Sequence, residues 1–166
     1  MPRGCRRGLR SPGKPWAFSS LAAPVLCYTR AMALKTYKGA CHCGAVTYEV
    51  DLDISKGTQK CNCTYCRKAR AWKSFVKPGA FRWLTGEDKV AMYRTNEFTA
   101  KKYHCRGCGM FTHEIGNAEW MGGPYVGIQL SVLEGVDEDE LANAPVSIAD
   151  GLHNNWMETP ADTRNL

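Results

Sequence analysis

The sequence has no run of 18 apolar residues, so no membrane-spanning helix is expected. Its first residues contain no clear apolar segment of the kind a secretory signal needs. G-x-S-x-G, H-E-x-x-H, the P-loop and G-x-G-x-x-G are all missing, which removes the common hydrolase, metalloprotease and nucleotide-binding readings. No H-x-E precedes a P-C-x-x-C, as a zinc deaminase would require. The βαβ pattern that frames a thioredoxin-like C-x-x-C is missing too.

Acidic residues are absent from the first 31 positions, which carry Arg3, Arg6, Arg7, Arg10, Lys14 and Arg30. Those six cations account for the whole formal charge of +6. From Met32 onward the remaining 16 Lys and Arg meet 16 Asp and Glu, and the body is neutral. Nucleic acid is therefore not expected as a partner, because such binding rests on neutralising phosphates. The Arg-, Ser- and Pro-rich head reads as a disordered or transit-like extension, or as residues upstream of a true start at Met32. Residues 32–166 then form one domain, placed in the cytoplasm, or in the mitochondrion if the head is a transit peptide.

What the chain does have is cysteine: nine residues, seven of them clustered. Cys41 and Cys43 lie in Gly-Ala-Cys-His-Cys-Gly, Cys61, Cys63 and Cys66 in Cys-Asn-Cys-Thr-Tyr-Cys, and Cys105 and Cys108 in Cys-Arg-Gly-Cys-Gly. Cys5 and Cys27 fall in the head and are read as free thiols. Cysteines one residue apart bridge poorly to each other, whereas C-x-x-C turns are ordinary metal knuckles, so metal-bound thiols in a reducing compartment are expected. Structural zinc takes four N or S ligands, and catalytic zinc takes three with one position open. The first and last pairs, Cys41, Cys43, Cys105 and Cys108, can close a four-thiol structural site across more than 60 residues of chain. Cys61, Cys63 and Cys66 are left as a three-thiol site. Three thiolates and a divalent zinc sum to one negative charge, which suits holding a soft sulfur nucleophile better than activating water. His42, His104, Asp51 and Asp53 are the alternatives for a fourth ligand. Arg67, Lys68 and Arg70 follow the triplet closely and can face solvent or meet a substrate carboxylate.

The fold expected is mainly β, with short strands, glycine turns and little helix. Strands are expected at 45–50, 72–76, 80–84, 90–95, 100–104, 111–115 and 146–149, and the longest at 125–133. Residues 64–71 and 137–143 read as short helices. Residues 51–59 read as a polar loop, and 151–166 as a polar tail apart from Trp156 and Met157.

The segments Gly39-Ala-Cys-His-Cys-Gly-Ala-Val-Thr-Tyr, Cys61-Asn-Cys-Thr-Tyr-Cys-Arg-Lys and Tyr103-His-Cys-Arg-Gly-Cys-Gly resemble the glutathione-dependent formaldehyde-activating enzymes, whose domain is shared with centromere protein V. The resemblance runs from about Leu34 to Trp156. It implies a β-tent of several small coiled sheets and two zinc ions, one structural at Cys41, Cys43, Cys105 and Cys108, one catalytic at Cys61, Cys63 and Cys66. It implies a carbon–sulfur lyase that joins glutathione to formaldehyde or a related carbonyl as S-(hydroxymethyl)glutathione. The alternative is a non-enzymatic zinc-binding interaction module of the centromere protein V type. The chain departs from the family pattern at Ala69–Ser74 and at Tyr103-His104, both beside the expected pocket.

Overall fold

The computed structural model describes residues 34–94 and 100–166. The basic head, with Cys5 and Cys27, lies outside the described residues, as does the expected end of a strand at Thr95. Among the described residues, eleven strands and two short α-helices follow in chain order: β1 (Lys35–Ala40), β2 (Thr47–Leu52), β3 (Thr58–Cys61), α1 (Thr64–Ala69), β4 (Trp72–Val76), β5 (Phe81–Thr85), β6 (Val90–Tyr93), β7 (Lys101–Cys105), β8 (Phe111–Ala118), β9 (Gly123–Gln129), β10 (Leu133–Glu134), α2 (Glu138–Ala142) and β11 (Val146–Ala149). The protein is mainly β. One sheet has the order β10-β1-β2-β5 and the other β11-β3-β4-β9-β8-β7-β6. The pairing of β11 with β3 is parallel and the others are antiparallel.

Period-two patterning builds the interface between the sheets. Tyr48, Val50 and Leu52 of β2 are buried, with Thr47, Glu49 and Asp51 between them facing outward. They meet Val126, Ile128, Leu130 and Val132 from β9 and the turn after it. Gly39 is opposite Tyr48, whose ring lies where a side chain at 39 would stand. His113 of β8 is fully buried in this interface, stacked on Tyr103 at 4.8 Å and ringed by Tyr48, Phe81 and Trp83. Its Nδ1 bonds to Thr112 Oγ1 at 3.0 Å, while Nε2 has no partner. Burial in this aromatic cage pushes its pKa down to about 3.

Besides the two-residue β10, two strands were not expected. β1 carries a single large apolar residue, Tyr37, so its alternation is faint in sequence. β3 is polar (Thr-Gln-Lys-Cys) and is held by neighbours on both sides, β11 and β4, rather than by its own pattern. The longest strand is β8, with eight residues, not the 125–133 segment. That segment leaves the sheet at Leu130, where the chain turns through a 3-10 helix at Leu130–Val132. Helix α2 falls where expected, with Asp137 accepting from Glu140 N at its start. Buried Glu140 accepts in turn from Lys35 Nζ at 2.7 Å and Tyr37 Oη at 2.6 Å, which anchors β1.

Candidate metal centre

The knuckles bring the seven thiols into two groups. Cys41 follows β1 and Cys105 ends β7, so the first group ties the two sheets together. The turn after Cys41 is closed by Cys41 N to Val46 O at 3.0 Å and Gly44 N to Cys41 O at 2.9 Å, with Gly44 at φ +72°. The turn after Cys105 repeats the device with Gly109 N to Cys105 O at 2.8 Å and Gly109 at φ +73°. Both glycines hold left-handed backbone that other residues resist. The four sulfurs of Cys41, Cys43, Cys105 and Cys108 lie within 4.8 Å of one another, with Cys43 Sγ 3.6 Å from both Cys41 Sγ and Cys105 Sγ. Zinc–sulfur bonds of about 2.3 Å in a tetrahedron set sulfurs about 3.8 Å apart, so four thiolates at this spacing fit such an ion. Backbone N–H groups already favour sulfur anions: that of Met110 leads in holding Cys108 down to about 6, and that of Cys108 holds Cys105 down.

The second group comes from a single stretch of chain. Cys61 ends β3, Cys63 caps α1 and Cys66 lies one turn into it. Cys63 N donates to Cys61 Sγ at 3.4 Å and Cys66 N donates to Cys63 Sγ at 3.4 Å. These bonds fold C-x-C-x-x-C so that its three sulfurs lie within 4.8 Å of one another. The Cys63 thiol is held far down, to about 2, by the thiol of Cys61 first and that of Cys66 next, while Cys66 is pushed up. One anionic sulfur shared among thiols is a site that a soft cation satisfies.

No histidine or carboxylate joins the triplet among the described residues. Asp51 accepts from Arg82 at 2.6 Å, and that guanidinium holds its carboxyl down to about 2. Asp53 caps a turn through Ser55 N at 3.1 Å. His42 is exposed. His104 Nε2 bonds to Tyr65 Oη at 2.8 Å. A cavity of about 210 Å³ opens beside the triplet, lined by Cys61, Cys66, Lys60, Arg67, Arg70 and Trp72 among others. Of the three cations after the triplet, Arg67 and Arg70 reach this cavity, whereas Lys68 does not line it.

The tail read as merely polar is the part that sequence reasoning missed. Asn62 Nδ2 donates to Asp150 Oδ1 at 2.5 Å, and Leu152 N donates to Asn62 Oδ1 at 2.8 Å. This clasp presses Gly151 against the triplet. A Cβ at 151 would stand 2.6 Å from Cys61 Sγ and 2.7 Å from the Trp156 ring. Nothing in the tail's own sequence marks this role; it follows from the burial of Asn62 between two cysteines, where its amide needs partners.

Comparison with known proteins agrees with this architecture. The chain is similar to a Rhodobacter sphaeroides protein of known crystal structure, with 31% identity and a TM-score of 0.56 over 66% of this chain and 99% of that one. The family described as "Glutathione-dependent formaldehyde-activating enzyme" matches residues 36–146, more than half of the chain. The chain belongs to the glutathione-dependent formaldehyde-activating enzyme family.

Proposed function

We propose that the protein adds the thiol of glutathione to formaldehyde, giving S-(hydroxymethyl)glutathione, with zinc at both thiol groups. The observation that carries this reading is the triplet Cys61, Cys63 and Cys66, three converging sulfurs with no fourth protein ligand among the described residues, set beside a cationic cavity. Cys41, Cys43, Cys105 and Cys108 are the structural set. Zinc on the triplet, when bound, supplies an open position at which a thiol is favoured as its thiolate.

The chain's own residues do the rest. Lys60, Arg67 and Arg70 put positive charge around the cavity and draw in the carboxylates of glutathione. Gly151 packs tightly between Cys61 Sγ and the Trp156 ring, with no room there for a side chain at 151. In the addition the thiol loses its S–H proton, a sulfur–carbon bond forms, the carbonyl π pair moves to oxygen, and that oxygen takes up one proton, so the thiol's proton is balanced by the new hydroxyl. Burial leads in keeping the Tyr65 hydroxyl protonated and His104 neutral, so this bonded pair holds a proton on the helix that carries Cys66. Holding both reactants in one small site supplies most of the acceleration, because the addition is already feasible in water.

The test is the exchange rate between formaldehyde and S-(hydroxymethyl)glutathione at equilibrium, followed by NMR. The zinc-loaded protein should accelerate it and its Cys63→Ser variant should not. A two-zinc protein without acceleration would sink the lyase and favour the interaction module.

A further inference from the structure

Three buried charges lie on the sheet face that carries the triplet. Lys73, Lys102 and Glu114 are 6%, 7% and 3% exposed. The strand register places them together: Gln59 opposes Lys73, so Cys61, two residues further along, shares that face. Gly127 opposes Glu114, and Glu114 opposes Lys102. The other face, with Ser74, Ile128 and His113, is the one packed in the core between the sheets.

Lys73 Nζ donates to Glu114 Oε1 at 2.7 Å, although β9 separates their strands. The crossing passes over Gly127, where a Cβ would stand 2.8 Å from Glu114 Cγ and 3.0 Å from the Phe75 ring. Lys102 Nζ lies 4.9 Å from the centre of the Tyr65 ring, next in sequence to Cys66. Burying a salt bridge is often no better for stability than apolar packing of the same volume, so stability alone explains this pair poorly. Its neighbour supplies a reason. Ala71, two residues before Lys73 and on the same face, packs with Cys61 and Cys66, so the ion pair lies next to the triplet. Two ammonium groups and one carboxylate leave one positive charge beside a site that, with three thiolates and a divalent metal, carries one negative charge.

We propose that Lys73, oriented by Glu114 across Gly127, is a positioning residue for the triplet: its ammonium balances the three sulfurs so that a divalent metal sits there with room for an anionic thiol. This rests on the reading of the triplet as a metal site. Cobalt(II) is the probe, added to the full chain and followed by thiolate-to-cobalt absorption and competition with a chelator. Wild type should take two cobalt ions, with a spectrum that shifts on adding glutathione. In Lys73→Met/Glu114→Leu, which leaves neither charge buried alone, the four-thiol cobalt and the melting temperature should hold. The triplet should bind cobalt, and answer glutathione, about tenfold more weakly. Lys73→Gln, which can still bond to Glu114, should show the same selective weakening, and Lys73→Arg should restore both. A folded charge-free variant that binds both cobalts and glutathione like wild type overturns the proposal. Loss of both cobalts together with unfolding, in the double variant and in Lys73→Gln alike, overturns it as well, since the pair would then serve the fold. A wild type that takes one cobalt only overturns the metal reading of the triplet itself.

Discussion

The two thiol groups use the same residue and turn chemistry to different ends. The four-thiol group is assembled from two chain segments more than 60 residues apart, at the junction of two sheets, with Cys43 exposed. The three-thiol group is local, spanning six residues, with Cys61 and Cys66 buried. A cationic cavity, a tail clasp and a buried ion pair surround it. Under the proposed zinc reading, the distant, complete set ties the fold together, and the local, incomplete one beside a cavity leaves a coordination position for something else.

The strongest way to break that contrast is to remove one thiol from each group. Structural zinc contributes on the order of 10 kcal/mol to folding, comparable to the whole stability of a domain. Cys105→Ser should therefore abolish the cooperative thermal transition and the near-UV circular dichroism. Cys63→Ser should keep both and lose one metal equivalent by mass spectrometry under native conditions. Equal loss of folding in the two variants would erase the division of labour.

Acid sharpens the contrast, because it acts on the fold through a group that belongs to neither cluster. His113 has a folded pKa near 3, below the ordinary 6.5. Between those values the unfolded chain binds a proton that the native state refuses. The stability is thus complete above pH 6.5 and falls as pH drops toward 3, by about 1.4 kcal/mol per unit. Denaturant titrations between pH 6.5 and 4 should give a shallower slope for His113→Phe, which keeps a ring on Tyr103. In that variant, metal release from the two groups can be followed in acid without this contribution to global unfolding. An unchanged slope would mean His113 is not the group that titrates.

The smaller effect of Gly151→Ala separates the groups by their surroundings. The added methyl has no room between Cys61 Sγ and the Trp156 ring, and overpacking of this kind costs about 1–3 kcal/mol. The tail should lift. Trp156 fluorescence should shift to the red and the triplet should release metal faster to a chelator, while the four-thiol group is unaffected. Simultaneous release from both groups would show that the clasp supports the whole fold.

Much of this was legible in the chain. The four-plus-three grouping of the thiols follows from their spacing, β2 from its period-two patterning, and helix α2 from an acidic run stopped before Pro145. What was not legible depends on partners distant in sequence. β3 has no apolar pattern, yet it becomes a strand because β11 and β4 flank it. The tail is polar in sequence, and it matters because Asn62 holds Asp150 and Leu152. Lys73 and Glu114 are 41 residues apart, and only the β4-β9-β8 order, with glycine at the crossing, shows that they meet. His104 beside Cys105 was a reasonable ligand alternative, but its ring turns to Tyr65 instead.

The smallest expected effect belongs to the cavity mouth. Arg67 is exposed, and the single charge it offers an incoming carboxylate is screened by water and salt. Arg67→Ala should leave both metals, the melting temperature and kcat unchanged, and raise the KM for glutathione a few-fold at low salt. The difference should shrink as ionic strength rises, because the Debye length falls to about 8 Å at 0.15 M. Substitution of Lys68, which does not line the cavity, is the control and should change neither value. A salt-independent rise in KM would assign Arg67 a direct, dehydrated contact with the substrate. A drop in kcat would draw it into the chemistry and narrow the gap between the cavity and the triplet.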